Sequence, residues 1–176
     1  MCSVTAALYN SLMRLILALA LIPFAASASC LDDLKDNGWR VEAAQSPSGV
    51  CSIDEPVRLY ATDTTVFEPS ILLSCSTAKD AGTWAKNISA QKVRHVGGYN
   101  CRKQRNSFFR SQHSYGAAID VTHIDGVPIS KQWRAAYKEG CKVFNTVLTP
   151  DHDALHADHL HMDNGWGFSC LFDFVR

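Results

Sequence analysis

Six cysteines constrain this chain most: Cys30, Cys51, Cys75, Cys101, Cys141 and Cys170. A seventh, Cys2, stands apart near the N-terminus. No two of the six form a CxxC pair, so a structural zinc–thiolate site is not expected. Between Cys2 and Cys30, Arg14 precedes a twelve-residue apolar run, LILALALIPFAA, followed by an Ala-x-Ala site, Ala26-Ser27-Ala28. Spanning a bilayer takes about 20 apolar residues, so this run is too short. A charged flank, a short apolar core and a small-residue site describe a secretory signal peptide, residues 1–28, cut after Ala28. A lipoprotein signal ending at Cys30 is the rival, but Ser27-Ala28-Ser29 lacks the aliphatic residue such a signal would carry. An even cysteine count in an exported chain reads as disulfides. Three bridges are expected, with their pairing open, each stabilising a small domain by about 2–4 kcal/mol.

Residues 29–176 suit one domain with one core. Seventeen basic and seventeen acidic residues balance to zero. No basic block points to nucleic acid and no acidic tail to a disordered arm. Residues 30–50 begin with a short helical pattern and then turn at Asn37-Gly38, and 46–49 (SPSG) is a loop. Residues 56–61 (PVRLYA) alternate as a strand. Ser74 to Ala85 has helical spacing, with Ser76 or Thr77 as N-cap. The sequon Asn87-Ile88-Ser89 is taken as chance. Residues 91–99 read as a strand ending in Gly97-Gly98, and 100–112 as a polar, basic loop, whose run 102–110 could attract acidic peptide stems but is read as solvated. Residues 117–122 (AAIDVT) read as a buried strand followed by a turn at Asp125-Gly126. Ser130 to Leu148 reads as one or two helices with Trp133, Tyr137 and Phe144 facing the core. Residues 157–174 alternate as a strand, break at Asn164-Gly165 and end in a short apolar tail. The expected class is α+β: a small antiparallel sheet flanked by helices and stapled by disulfides.

Two stretches carry chemistry. In SQHSYGAAID (111–120), His113 and Asp120 are seven apart. A straight strand would put them on opposite faces, so they meet only if the chain bends between them, and Gly116 is placed to allow that. Asp120 sits among apolar residues, where a carboxylate is costly unless paired or bound to a metal. In LHADHLHMD (155–163), His159 and His161 share a strand face, while Asp158 and Asp163 are placed to orient ring N–H groups. Nitrogen and oxygen donors suit Zn²⁺, and a catalytic zinc site keeps three protein ligands beside an open position for water. His95, His123 and His152 read as ordinary surface or turn histidines. Trp166 reads as either core or cleft wall.

The runs HVGGYNCR (95–102), SQHSYGAAIDVT (111–122), CKVFNTVL (141–148) and HADHLHMD (156–163) resemble the extensin-like C-terminal domain family of bacterial exported proteins. That family is similar in turn to the zinc D-Ala-D-Ala peptidases and penicillin-insensitive murein endopeptidases, a group that includes the hedgehog signalling domain. The resemblance covers roughly residues 70–170. It implies a hedgehog/DD-peptidase-like fold with His113, Asp120 and His161 as zinc ligands. The wider group has an acidic residue three before the last ligand, here Asp158. The murein endopeptidases have a histidine two before it, here His159, and another five before it, here His156. Strand alternation favours His159 as the catalytic residue, with Asp158 second. Many relatives carry a Gly-Tyr-Arg run whose arginine meets the substrate. Here Gly98-Tyr99-Asn100-Cys101-Arg102 has two extra residues before Arg102.

The expected function is a monomeric zinc metallopeptidase that hydrolyses peptidoglycan stem peptides or cross-links next to a D-amino acid. It would work in the periplasm or cell envelope, with no membrane span in the mature protein. The alternative is a non-catalytic, zinc-containing cell-wall-binding module, since a fold of this kind can keep its zinc for recognition. A periplasmic metal carrier is a third reading, resting on histidine richness alone.

Overall fold

The computed structural model describes residues 29–105, 107–167 and 169–171. The expected signal peptide, residues 1–28, and the tail after residue 171 lie outside the described residues. Among the described residues, no helix is long and apolar enough to cross a membrane.

The chain begins with helix α1 (Cys30–Asp36), capped by the Ser29 hydroxyl. Strands β1 (Arg40–Ala43), β2 (Pro56–Ala61) and β3 (Val66–Ser74) follow as an antiparallel run. Helix α2 (Cys75–Asn87) leads into β4 (Lys92–Gly97), which pairs parallel to β3. Parallel neighbours need a crossover, and α2 supplies it. Then come β5 (Ala118–Ile124), the short β6 (Val127–Pro128), helix α3 (Trp133–Gly140), β7 (Thr146–Leu148) and β8 (Leu160–Asp163). The eight strands form one sheet in the order β1-β2-β3-β4-β5-β8-β7, with β6 beside β5.

The sheet is therefore neither small nor wholly antiparallel, contrary to expectation. β3 carries Pro69, which argues against a strand interior. β7 was hidden because Val147 and Leu148 continue the helical spacing of Cys141 and Phe144. The chain instead leaves α3 at Gly140, where an added Cβ would lie 3.2 Å from Met162 and from Val147. The N-cap of helix α2 is Ser74, two residues before Ser76 and three before Thr77, the caps expected: the Ser74 hydroxyl accepts from the Thr77 N–H.

Helix α2 turns a face of small residues, Ala78, Ala81 and Ala85, onto the sheet, and all are fully buried. Trp84 is buried with them and its indole N–H donates to the Ala136 carbonyl at 2.9 Å, tying α2 to α3. Leu59, Ile71, Leu73, Val93, Leu160 and Met162 complete the core. Burying a side chain of this size contributes about 1.5–3 kcal/mol. Phe144 is buried as expected, whereas Trp133 and Tyr137 pack against the core only partly covered.

Three disulfides are present: Cys30–Cys75, Cys51–Cys101 and Cys141–Cys170. They join α1 to the start of α2, the turn at Gly49–Cys51 to the loop after β4, and the end of α3 to the C-terminal segment.

Gly116 sits at φ +62°, and an added Cβ would lie 2.8 Å from the Ser74 backbone nitrogen. That same Ser74 N–H donates to the Gly116 carbonyl. Gly116→Ala is expected to lower stability by about 1–3 kcal/mol through left-handed strain and this contact. Thermal unfolding checks it; an unchanged midpoint would contradict the role given to this bend.

Candidate metal centre

Strands β5 and β8 pair antiparallel, with Asp120 directly opposite His161. Side chains alternate along a strand. Ile119 and Val121 on β5, and Leu160 and Met162 on β8, enter the core. Asp120, His161 and Asp163 consequently share the other face. His113 arrives from a 3₁₀ turn, Gln112–Tyr115, which Gly116 ends in the left-handed region. The bend expected between His113 and Asp120 is thus present.

His113 Nε2, an Asp120 carboxylate oxygen and His161 Nδ1 form a three-residue group able to hold a metal, all within 4.8 Å of one another. Asp120 lies 3.1 Å from His113 Nε2 and 2.8 Å from His161 Nδ1, and those two nitrogens are 3.3 Å apart. The far side of each ring is committed. His113 Nδ1–H donates to the Gly98 carbonyl at 2.6 Å, and His161 Nε2–H donates to Asp163 at 2.8 Å. Asp163 in turn accepts from the Gly165 N–H at 2.7 Å. With the outer nitrogens donating, neutral rings turn two lone pairs onto a carboxylate. Electron-rich atoms converging in a mostly buried place require a positive charge among them. Two imidazoles and one carboxylate, with the outer N–H groups oriented, fit a zinc ion.

In metal-free protein a proton supplies that charge. Burial alone would push His161 down, but hydrogen bonds to Asp120 and Asp163 outweigh it and raise its pKa to about 9. Burial would raise Asp120, yet hydrogen bonds from His113 and His161 hold it far below the usual carboxylate range.

His159 also faces the group. Its Nε2 is 3.8 Å from Asp120, and its Nδ1–H donates to Asp158 at 2.9 Å. Strand alternation does not orient it, because β8 starts only at Leu160 and His159 belongs to the preceding turn. The Asp158 side chain is 88% exposed and reaches the group only through His159. His156 sits beside it, ring centroids 5.1 Å apart, held by Asp153 at 2.7 Å. Burial pushes His156 down despite the Asp153 hydrogen bond.

Asp120 and His161 line an open cleft of about 1270 Å³, with the buried His113 behind them, and the lining also includes Arg102, Tyr115, His156, His159, Thr146 and Trp166. Arg102 is exposed, and its guanidinium donates to the Lys103 carbonyl at 3.4 Å. Trp166 is 95% exposed and belongs to the cleft wall rather than the core. His152 is exposed and His123 half-buried. His95 departs from the surface reading: it is buried and bonded through Nε2 to the Pro69 carbonyl at 2.7 Å. The residues missed were the Gly98 carbonyl, which no side-chain motif announces, and Thr146, whose buried hydroxyl in the cleft has no partner among the described residues.

The family model described as "Extensin-like protein C-terminus" matches residues 28–170. The chain belongs to this extensin-like family. No curated protein matches it.

A pH dependence follows from His161. Its raised folded value means that its stabilising contribution is complete below the ordinary histidine value of 6.5 and disappears as pH rises through about 9. With chelator present, the thermal midpoint is expected to fall across that window, and His161→Gln to flatten the fall. A native midpoint indifferent to pH there would contradict the arrangement.

Proposed function

We propose that this protein is a zinc-dependent metallopeptidase cutting peptide bonds next to a D-amino acid in peptidoglycan stem peptides or cross-links. In this reading it is exported to the periplasm or cell envelope and acts as a monomer. Its sheet is a form of the fold used by the zinc D-Ala-D-Ala peptidases and the hedgehog domain. One observation carries the reading: two imidazoles and a carboxylate converge at an open cleft, each ring held from behind, with His159 beside them.

His113, Asp120 and His161 would hold the zinc. When bound, zinc supplies a Lewis acid and lowers the pKa of its water toward about 7. The chain does the rest. Gly98 and Asp163 keep the two ligand rings in the tautomers that present Nε2 of His113 and Nδ1 of His161. Asp158 accepts from His159 Nδ1–H, leaving the Nε2 lone pair toward Asp120. His159 is therefore the base, taking a proton at Nε2 and returning it to the leaving amine. Asp158 is a positioning residue that stabilises the imidazolium. Arg102, on the same cleft, offers a planar fork of donors for a substrate carboxylate or the developing oxyanion.

The test is a digest of purified peptidoglycan by the zinc-loaded protein, reading newly released amines. His161→Ala is expected to lose metal and activity together. His159→Ala is expected to keep its zinc and lose about 10²–10⁴ in rate. Native protein that binds the polymer but releases no amine would overturn the peptidase reading in favour of a zinc-containing binding module. Full zinc in His161→Ala would overturn the ligand set.

A further inference from the structure

The chain is neutral as a whole, yet its charge is unevenly distributed. No acidic residue occurs between Asp80 and Asp120, while that interval holds seven cations. Four of them, Arg102, Lys103, Arg105 and Arg110, fall in one short stretch and all line the cleft. The stretch is not an irregular solvated loop. Lys103 and Arg110 form an antiparallel bridge, and two backbone bonds frame it, Gln104 N–H to the Phe109 carbonyl at 2.9 Å and Ser111 N–H to the Arg102 carbonyl at 3.1 Å. The result is a hairpin rooted by the Cys51–Cys101 disulfide.

Its cross-strand pair is unfavourable as it stands. Like charges directly opposite each other across an antiparallel pair are destabilising. Among the described residues, no carboxylate forms an ion pair with Lys103, Arg105 or Arg110. Their neighbours are weak substitutes. Lys103 Nζ lies 5.9 Å from the Phe108 ring, and Arg110 Nη1 donates to the Cys51 sulfur at 3.4 Å. The hairpin also exposes two adjacent aromatic rings, Phe108 at 93% and Phe109 at 77%, the latter lining the cleft. Unpaired like charges and exposed rings on a rooted hairpin are costs that a ligand would offset.

We propose that the hairpin, through its described residues 102–105 and 107–111, is a binding wall for a carboxylate-bearing arm of the substrate peptide. Lys103, Arg105 and Arg110 meet its carboxylates, and Phe109 covers its apolar part. The identity of the peptide rests on the peptidase reading; the chemistry of the wall does not. Continuity with the metal centre argues for the substrate itself, since whatever lies along the hairpin extends into the cleft that holds Asp120 and His161. The loop that brings His156 and His159 to the same cleft argues for a short anionic arm over a long polyanion. The loop carrying His156 and His159 also bears Asp151, Asp153 and Asp158, which would repel a continuous run of phosphates.

Two synthetic stem peptides test this, one with its side carboxylates free and one with them amidated. Binding to the zinc-loaded protein is measured by calorimetry over a series of salt concentrations. The free acid is expected to bind about tenfold tighter at low salt, with the gap closing as salt rises. Lys103→Glu separates ligand binding from folding. The substituted carboxylate would face Arg110, so the thermal midpoint should hold or rise while the preference for the free acid is lost. Equal binding of the two peptides by native protein would overturn the proposal, as would a preference that survives in Lys103→Glu. Cleavage is read separately on the same peptides. Peptides discriminated but not cut would uphold the wall and sink the peptidase reading.

Discussion

The site depends on the register of β5 against β8. Asp120 stands opposite His161 because Ile119 and Val121 on one strand, and Leu160 and Met162 on the other, are buried together on the far face. A slip of one residue would turn every side chain of a strand over. On β5 it would place the Asp120 carboxylate in the core and Ile119 and Val121 in the cleft; on β8 it would do the same to His161 and Asp163 in exchange for Leu160 and Met162. The hydrophobic core therefore holds the metal donors in position as well as stabilising the sheet.

Around that pair, backbone supplies what side chains do not. Gly116 bends the chain so that His113 comes back over Asp120, and its carbonyl is held by Ser74 at the start of α2. Gly98 brings its carbonyl behind His113, at a place where a Cβ would lie 2.6 Å from Ile71 and 2.7 Å from the Leu72 carbonyl. A positive charge at the centre offsets the cost of collecting these groups away from water. The disulfides act on the segments that strand pairing leaves loose. Cys51–Cys101 anchors the hairpin on one side of the cleft, and Cys141–Cys170 fastens the chain just beyond Trp166.

The site was more legible in the sequence than the sheet was. Asp120 stands out because a carboxylate in an apolar run needs a partner, and Gly116 marks where the chain has to bend, while the set His113, Asp120 and His161 rests on the family resemblance. Pro56–Ala61 alternates cleanly and is a strand within those bounds. β3 and β7 were obscured by a proline and by accidental helical spacing, both overridden by pairing with distant strands. The cysteine pairing and the burial of His95 depend on which strands become neighbours, which no local pattern records. The basic stretch 102–110 read as solvated because charge alone does not reveal that Lys103 and Arg110 face each other.

The most direct measurement is X-ray absorption spectroscopy at the zinc edge on protein loaded with one equivalent of zinc. A centre made by His113, Asp120 and His161 predicts two imidazole nitrogens with oxygen donors at about 2.0–2.2 Å and no sulfur. Replacing His113 by alanine should remove one imidazole from that shell or abolish binding. A shell containing sulfur, or one unchanged by losing His113, would contradict it.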